Sequence, residues 1–329
     1  MCAPACRTIS TGNCRPACAI PSGTRAAKAG TKPPAARTPI TGRALPSATG
    51  NAPDTWTRKT MSCTRETGGA APTRGQKLLA ATLRGSLSVL LKPAFLSRSP
   101  VALQRQWLAA LSRTTLPARG VPRRGTVLGS VPVELTGNGD SGTVLYLHGG
   151  GYVSGGPVTH RALTSHLAKL ADASVAVADY RLAPEHPFPA ALDDAHRAYL
   201  ALLEKGHAPE RLAVAGDSAG GGLTLALLQR LRDEGQPLPA CALMFSPWVD
   251  LTLTETPPTV PGEAMLNRQW LAFAAEAYAG EQRGSAGASP LLSNLDGLPP
   301  LLIQTGSDEI LANDSERLAE ALDRADCDA

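Results

Sequence analysis

Residues 211–222 read RLAVAGDSAGGG, and this stretch decides the fold class. After Arg211, residues 212–216 form a continuous apolar run, which is typical of a strand buried on both faces. The residues that follow Ser218 repeat apolar side chains at the spacing of a helix. A serine between a strand and a helix occupies a sharp turn, and Gly216 and Gly220 flank it because a Cβ there would clash with the neighbouring backbone. The stretch therefore predicts a strand, a tight turn that exposes the Ser218 hydroxyl, and a helix.

The same alternation extends over most of the chain. Helices are predicted at residues 75–96 and 101–116, and a pair of short strands near 125–135. The later strands are continuous apolar runs, as expected when helices cover both faces of a parallel sheet. They are predicted at residues 143–147, 174–179, 211–216, 240–246 and 300–305, with helices at 160–170, 189–203, 219–232, 267–278 and 314–325. The predicted fold is a three-layer α/β sandwich, and Asn313 is predicted to cap the last helix.

A second motif, His148-Gly149-Gly150-Gly151, directly follows the strand at residues 143–147. Consecutive glycines leave backbone N–H groups free to point at a developing oxyanion, and removal of one such donor costs on the order of 100- to 1,000-fold in rate. A phosphate-binding loop is the alternative, but such a loop requires a G-x-G-x-x-G spacing or a following Lys-Ser/Thr, and neither is present here. Together with Ser218, the motif indicates acyl transfer through a serine nucleophile.

A carboxylate follows the strand at residues 300–305. Asp308 lies near the strand end, where it is well placed to orient a histidine, whereas Asp314 lies further along. Either residue could instead only cap the following helix. The shorter distance from the strand end favours Asp308 as the acid of a catalytic triad.

Five stretches, taken in order, resemble the hormone-sensitive-lipase-like (bacterial family IV) branch of the α/β-hydrolases. The resemblance covers about residues 76–325. The five stretches are HGGGYVSGG (148–156), DYRLAPEHPFPAALDD (179–194), GDSAGGG (216–222), SPWVDLT (246–252) and GSDEIL (306–311).

The resemblance implies an α/β-hydrolase that hydrolyses short-chain carboxylic esters through an acyl-enzyme, with no metal and no cofactor. It implies Ser218 as nucleophile, Asp308 as acid, and the N–H groups of Gly149, Gly150 and Ala219 as the oxyanion hole. It also implies a helical cap built from the N-terminal helices and the segment around residues 255–285. The residues expected to support the site are His148, Gly151, Gly216, Asp217, Gly220 and Glu185.

The chain departs from the family in its histidines. In this fold the triad runs Ser, Asp, His along the chain. All six histidines precede Ser218, and none follows Asp308: His148, His160, His166, His186, His196 and His207. Those on predicted helices, His160, His166 and His196, are expected to be partly exposed surface residues.

The family continues beyond this point with a last strand and a loop that carries the histidine, so we expect both to be missing here. Loss of the triad histidine costs about 10⁶-fold in kcat. The sheet edge beside residues 300–305 is expected to be unpaired. The leading hypothesis is an ester hydrolase, truncated at its C-terminus, with impaired turnover. Its alternatives are a non-catalytic, ligand-binding pseudo-hydrolase and an inactive gene fragment.

The N-terminal 75 residues differ in composition from the rest. They carry eleven basic and two acidic residues, a net charge of +9, whereas residues 76–329 carry −5. Four Ile, Leu or Val residues cannot build a core, so residues 1–75 are expected to be a disordered tail or sequence upstream of the true start, with Met61 as an internal start. Three functional interpretations of this segment are alternatives: a metal site at the cysteines, a transit peptide, and a tail that binds nucleic acid or anionic lipid.

Composition also bears on partners and location. No apolar run approaches the roughly 18–20 residues of a membrane span, and no apolar signal segment begins the chain. The expected partner is a small-molecule ester, and no binding to nucleic acid is expected. A homodimer is an open alternative to a monomer. The expected location is the cytoplasm.

Overall fold

The predicted strands form one mixed sheet in a computed structural model, which describes residues 6–11, 64–67 and 73–328. The strands are β1 (Cys6–Thr11), β2 (Thr64–Thr67), β3 (Arg123–Leu128), β4 (Val131–Thr136), β5 (Thr143–Leu147), β6 (Ser174–Ala178), β7 (Leu212–Asp217), β8 (Cys241–Phe245) and β9 (Leu301–Gly306). The helices are α1 (Arg74–Leu91), α2 (Val101–Ser112), α3 (Pro157–Ala171), α4 (Ala190–Glu204), α5 (Ala219–Asp233), α6 (Arg268–Ala279) and α7 (Ala312–Asp328).

The sheet has the order β2-β1-β9-β8-β7-β5-β6-β4-β3. The five strands from β6 to β9 in this order are parallel, and the strands at both edges are antiparallel. Every residue of the central strand β5 is buried, which explains its continuous apolar sequence. The prediction of a mostly parallel sheet is confirmed.

Helices cover both faces of the sheet. Leu145 and Leu147 pack into the cluster that contains α4 and α5 residues, whereas Val144 and Tyr146 pack into a cluster with α3. Successive residues of a strand point to opposite faces, so β5 contributes to both layers of core. The arrangement confirms the predicted three-layer sandwich.

The edge beside β9 differs from the expectation of an unpaired strand. β1 pairs with it antiparallel, with Ile9 opposite Ile303, and β2 pairs with β1. An unpaired strand edge offers free N–H and C=O groups to any extended segment, and residues 6–11 take them. Disorder was therefore wrongly predicted for residues 6–11 and 64–67. The rest of the predicted tail up to residue 72 lies outside the described residues.

The starts of α6 and α7 differ in their capping. Asn267 caps α6, and its side chain accepts the Trp270 N–H at 2.9 Å. The predicted Asn313 cap is wrong, because α7 already begins at Ala312 and the Asn313 amide donates to the Glu255 carbonyl at 2.8 Å. Within the described ranges, no helix combines the length and the apolar character that a membrane crossing requires.

Candidate active site

Ser218 lies at the junction of β7 and α5, as predicted. Its backbone has φ 52° and ψ −120°, a conformation that few residues other than glycine adopt. Neighbouring backbone holds it there: the Ser218 N–H donates to the Phe245 carbonyl at 2.9 Å, and its carbonyl accepts the Trp248 N–H at 2.9 Å. A strained residue that its surroundings fix in place is a common feature of functional sites.

The flanking glycines are required by close backbone contacts. A Cβ on Gly216 would overlap the Gly220 carbonyl, and a Cβ on Gly220 would overlap the carbonyl of Leu147 and lie 2.6 Å from that of His148. The N-terminus of α5 therefore packs directly against the segment that follows β5.

The His148–Gly151 segment lies beside the Ser218 turn because β5 and β7 are adjacent, with Leu147 opposite Gly216. The Gly149 N–H donates to Asp217 Oδ1 at 3.0 Å. This bond engages one of the predicted oxyanion donors. By contrast, the N–H groups of Gly150, Gly151 and Ala219 donate to no acceptor in the described part of the protein. Gly149, predicted as an oxyanion donor, is thus engaged by Asp217, whereas the N–H of Gly151, predicted only to support the site, is not engaged.

Asp217, the residue before Ser218, accepts three hydrogen bonds. Its carboxylate contacts Gly149 N–H, the Tyr146 hydroxyl at 2.8 Å, and His160 Nε2 at 3.2 Å. Burial by itself would raise the pKa of Asp217, but the His160 imidazole and the hydrogen bonds hold the pKa below its usual value. Asp217 is therefore an ionised carboxylate that fixes the start of the glycine segment.

His148 is fully buried and supports the same segment. Its ring stacks on Tyr180 with 4.2 Å between centroids, and the Tyr180 hydroxyl donates to the His148 carbonyl at 2.6 Å. Burial, with a smaller effect of His160, lowers the pKa of His148 to about 3. This histidine is neutral, and its Nδ1–H donates to the Gly149 carbonyl at 2.9 Å.

Asp308 follows β9, and its carboxylate is partly exposed. Arg84 of α1 contacts it at 2.8 Å, and the Ser307 hydroxyl donates to it at 3.1 Å. Asp314 is different, because its buried carboxylate accepts the N–H groups of Val249 at 3.0 Å and Asp250 at 3.1 Å. Asp314 thus fixes the loop after β8, which leaves Asp308 as the accessible carboxylate.

None of the six histidines, all of which the structure describes, contacts Asp308. His166, His186 and His207 are exposed, as the helical position predicted for His166. The same expectation is wrong for His196, which is buried and contacts Glu234 at 2.8 Å. His160 is partly exposed, with 15% of its side chain accessible, and it lies beside Asp217.

The cap contacts the glycine segment directly. A Cβ on Gly151 would lie 2.5 Å from the Trp270 ring of α6. The Trp270 Nε1–H donates to Gln104 of α2 at 2.9 Å, and its ring packs edge-to-face on Phe95 with centroids 4.8 Å apart. Two regions distant in sequence, residues 92–112 and α6, therefore meet above Gly151, as expected for the cap.

Glu185 anchors α2, one side of this contact, through a side chain of that helix. It binds Arg105 of α2 through two hydrogen bonds of 2.8 and 2.7 Å. Arg105 also donates to the carbonyls of Val153 at 2.7 Å and Ala183 at 2.8 Å. A bidentate pair of this kind holds the guanidinium in one orientation. Glu185 therefore acts through Arg105 on Val153, two residues after the glycine segment.

Sequence reasoning missed His160, Arg84 and Trp270 as parts of the site. Only His160 gave a usable signal: it lies in the first turn of the helix that directly follows the stretch HGGGYVSGG (148–156). That turn has to start at the carboxyl edge of the sheet, where sites of α/β proteins lie.

A family model described as alpha/beta hydrolase fold matches residues 144–329. The chain therefore belongs to the α/β-hydrolases. Its similarities place it in the hormone-sensitive-lipase-like branch of esterases.

The relatives carry names of ester hydrolases. An "Acetyl-hydrolase" of Streptomyces hygroscopicus is 49% identical over 185 residues, which are 55% of this chain and 62% of that protein. "Putative acetyl-hydrolase LipR" of Mycobacterium tuberculosis is 33% identical over 252 residues, 75% of this chain and 80% of the relative. A crystal structure of an esterase from the bacterial hormone-sensitive lipase family superposes with a TM-score of 0.68 at 35% identity, covering 74% of this chain and 84% of that chain. The chain thus spans less than two thirds of the Streptomyces relative.

Proposed function

We propose that the protein hydrolyses short-chain carboxylic esters, with Ser218 as the nucleophile. The observation that carries the proposal is the Ser218 turn at the N-terminus of α5 beside three free backbone donors, Gly150, Gly151 and Ala219. The names of the relatives support an ester substrate, and acetyl groups are the first acyl group to test.

In the proposed reaction, Ser218 Oγ attacks the carbonyl carbon of the ester while its proton passes to a base. The carbonyl oxygen becomes an oxyanion, which the N–H groups of Gly150, Gly151 and Ala219 stabilise. Collapse of the tetrahedral intermediate breaks the ester C–O bond, the base returns the proton to the leaving oxygen, and the alcohol departs from an acyl-Ser218. Water then attacks the acyl group and gives a proton to the base, which passes it to Ser218 Oγ as the acid leaves. The N-terminus of α5 adds a favourable dipole for the developing negative charge.

The base is the limiting part of this chemistry. Asp308, the proposed triad acid, contacts Arg84 and Ser307, and no described imidazole lies between it and Ser218. A positioned general base contributes roughly 10²–10⁴-fold to a rate. We therefore expect slow turnover by the 329-residue chain and a gain from an imidazole supplied in solution.

The test measures hydrolysis of p-nitrophenyl acetate and butyrate at increasing imidazole concentrations. The expected result is a Ser218-dependent rate that rises about 10- to 100-fold with imidazole, a part of what a positioned base supplies. Ser218→Ala, measured in the same buffers, corrects for the reaction of imidazole itself with the ester. Equal rates for the two proteins at every imidazole concentration would overturn the proposed function. Fast Ser218-dependent turnover without imidazole would overturn only the inference that no positioned base serves Ser218.

A second candidate function is binding of a small acid or ester without turnover. The observation that favours it is the ion pair between Asp308 and Arg84, which occupies the carboxylate that a catalytic histidine would need. Calorimetry with butyrate and with ethyl butyrate distinguishes the two functions. Tight binding, combined with an imidazole response no larger than that of Ser218→Ala, would favour the binding protein.

A further inference from the structure

Residues 149–156 form a loop, here called the oxyanion loop, whose two ends meet at one side chain. The loop turns back on itself, so that a Cβ on Gly155 would lie 2.7 Å from His148 Nδ1. Its last residue, Gly156, directly precedes α3, and His160 lies in the first turn of that helix.

The start of the loop is held through Asp217. The Gly149 N–H donates to Asp217 Oδ1 at 3.0 Å, and His160 Nε2 lies 3.2 Å from the same oxygen and 3.3 Å from Oδ2. The His160 ring and the first amide of the loop thus share one carboxylate.

The end of the loop is held through the other ring nitrogen. His160 Nδ1 lies 3.2 Å from the Gly156 carbonyl oxygen. The Thr159 hydroxyl donates to the same carbonyl at 2.7 Å and lies 2.8 Å from His160 Nδ1. His160 therefore faces an acceptor on each side of its ring.

These partners decide the protonation state of the ring. A carbonyl oxygen and an ionised carboxylate only accept hydrogen bonds, and a neutral imidazole has a single N–H. Both contacts are hydrogen bonds only when both nitrogens carry protons. A neutral ring would accept the Thr159 hydroxyl at Nδ1 instead, but that hydroxyl donates to the Gly156 carbonyl at 2.7 Å. The contacts therefore favour the imidazolium form, and the raised pKa of His160 agrees with it: burial would lower the value, but Asp217 and the Gly156 carbonyl outweigh burial.

The other titratable groups around His160 do not compete for this charge. The His148 ring lies 5.5 Å away and is neutral, and the Tyr146 ring, at 6.0 Å, keeps its proton because burial and Asp217 raise its pKa. Asp179 lies at the end of the loop, with Oδ1 3.6 Å from where a Cβ on Gly156 would be, and its carboxylate is a further negative group. The charges that face His160 thus favour a cation.

We propose that His160, as an imidazolium bonded to both Asp217 and the Gly156 carbonyl, is a positioning residue that holds the oxyanion loop closed next to Ser218. The inference rests on the proposed function, because the loop supplies two of the three oxyanion donors. His160 touches no reacting atom and acts only through the loop.

A consequence is a pH dependence of defined sign. As pH rises through the pKa of His160, one ring nitrogen loses its proton and one of the two bonds breaks. The oxyanion donors then become less well placed, so kcat falls on the alkaline side while KM, which reports mainly ground-state binding, changes little.

The first test does not depend on activity. NMR of protein labelled with ¹⁵N-histidine, with the His160 signals assigned by their loss in His160→Gln, gives the protonation of each ring nitrogen. The expected result is two protonated nitrogens at pH 6.5 and a pKa above the ordinary value of 6.5. A neutral ring at pH 6.5 would overturn the proposal.

The second test separates the two bonds. His160→Asn keeps a donor near the Nδ1 position, facing Gly156, and His160→Gln keeps one near the Nε2 position, facing Asp217. We expect each variant to lose about 10- to 100-fold in kcat, the range for one charge-assisted hydrogen bond, with little change in KM. Both variants should also lose the alkaline limb of the pH profile, measured at a fixed concentration of neutral imidazole. His166→Gln, an exposed histidine of the same helix, is the matched control and should keep the wild-type profile.

The outcomes distinguish this inference from the proposed function. Absence of Ser218-dependent hydrolysis in the wild type would defeat the proposed function, and the NMR result would still decide the state of His160. Ser218-dependent hydrolysis with wild-type kcat and pH profile in both His160 variants would defeat the inference alone.

Discussion

Single glycines decide whether the Ser218 turn can form. Gly220 has no room for a Cβ because two backbone carbonyls occupy the space, whereas Gly85, in the middle of α1, has nothing within 4 Å. Backbone cannot move away as a flexible side chain can. The same substitution should therefore have opposite effects at the two positions.

We predict that Gly220→Ala lowers the free energy of unfolding by about 3 kcal/mol or more and abolishes Ser218-dependent hydrolysis. Gly85→Ala should raise the free energy of unfolding by about 0.5–1 kcal/mol, since alanine is the better helix former. Urea unfolding of both variants measures the difference. A Gly220→Ala protein as stable as wild type would show that the turn is looser than described.

Asp314 is a buried carboxylate whose contribution to the free energy of unfolding depends on pH. Burial raises its pKa from 3.8 to about 6, although the N–H groups of Val249 and Asp250 and the nearby Arg317 oppose that rise. The folded state therefore binds the proton more tightly than the unfolded state does. This site favours folding most below pH 4, and its contribution to stability decreases as pH rises from about 4 to about 6.

We predict that Asp314→Asn removes this decrease, because asparagine keeps an acceptor for the two N–H groups but does not titrate. Between pH 4 and pH 7, the free energy of unfolding of the variant should rise relative to that of wild type, as measured by urea unfolding. Asp172→Asn is the control: Asp172 is exposed at φ 48°, a conformation that asparagine also accepts. Parallel pH curves for wild type and Asp314→Asn would contradict the assignment.

At the scale of elements, one buried hydrogen bond joins the two parts of the cap. Gln104 of α2 accepts the Trp270 Nε1–H of α6, and its amide donates to the carbonyls of Ser99 at 2.8 Å and Leu96 at 3.3 Å. Every polar atom of this buried side chain thus has a partner. Apolar contacts alone would allow α2 and α6 to slide, whereas this bond fixes their register above Gly151.

We predict that Gln104→Leu lowers the free energy of unfolding by about 1–3 kcal/mol, because it leaves buried polar groups without partners. Trp270→Phe keeps a ring beside Gly151 and removes only one end of the bond. In a double-mutant cycle, the two substitutions should be less than additive, with a coupling of at least about 0.5 kcal/mol. Simple additivity would mean that the bond contributes nothing.

At the scale of the whole molecule, the sequence predicted the sheet, its layers and the Ser218 turn. These features follow from local rules: apolar runs of the correct length, and glycines where a Cβ would overlap backbone. The same rules failed where a contact joins distant segments. Arg84 and Asp308 are 224 residues apart, and the pairing of β1 with β9 joins opposite ends of the described chain. No local pattern encodes either contact.

The proposed oxyanion donors show, within a single motif, the same limit on what local sequence rules can predict. The glycine run predicted the segment, but which of its N–H groups are free depends on where Asp217 lies. That carboxylate belongs to another strand, and it engages Gly149. A motif therefore predicts a site more reliably than it predicts the role of each residue in the site.

Asp217 and Ser218 are consecutive residues, and one strand end thus carries both the proposed nucleophile and the anchor of the oxyanion loop. The two parts cannot drift apart, because any shift of β7 moves both together. The cap meets this unit through the Trp270 side chain, which packs on Gly151. We therefore expect substitutions in the cap to leave the spacing between nucleophile and loop anchor unchanged, because neither Asp217 nor Ser218 belongs to the cap.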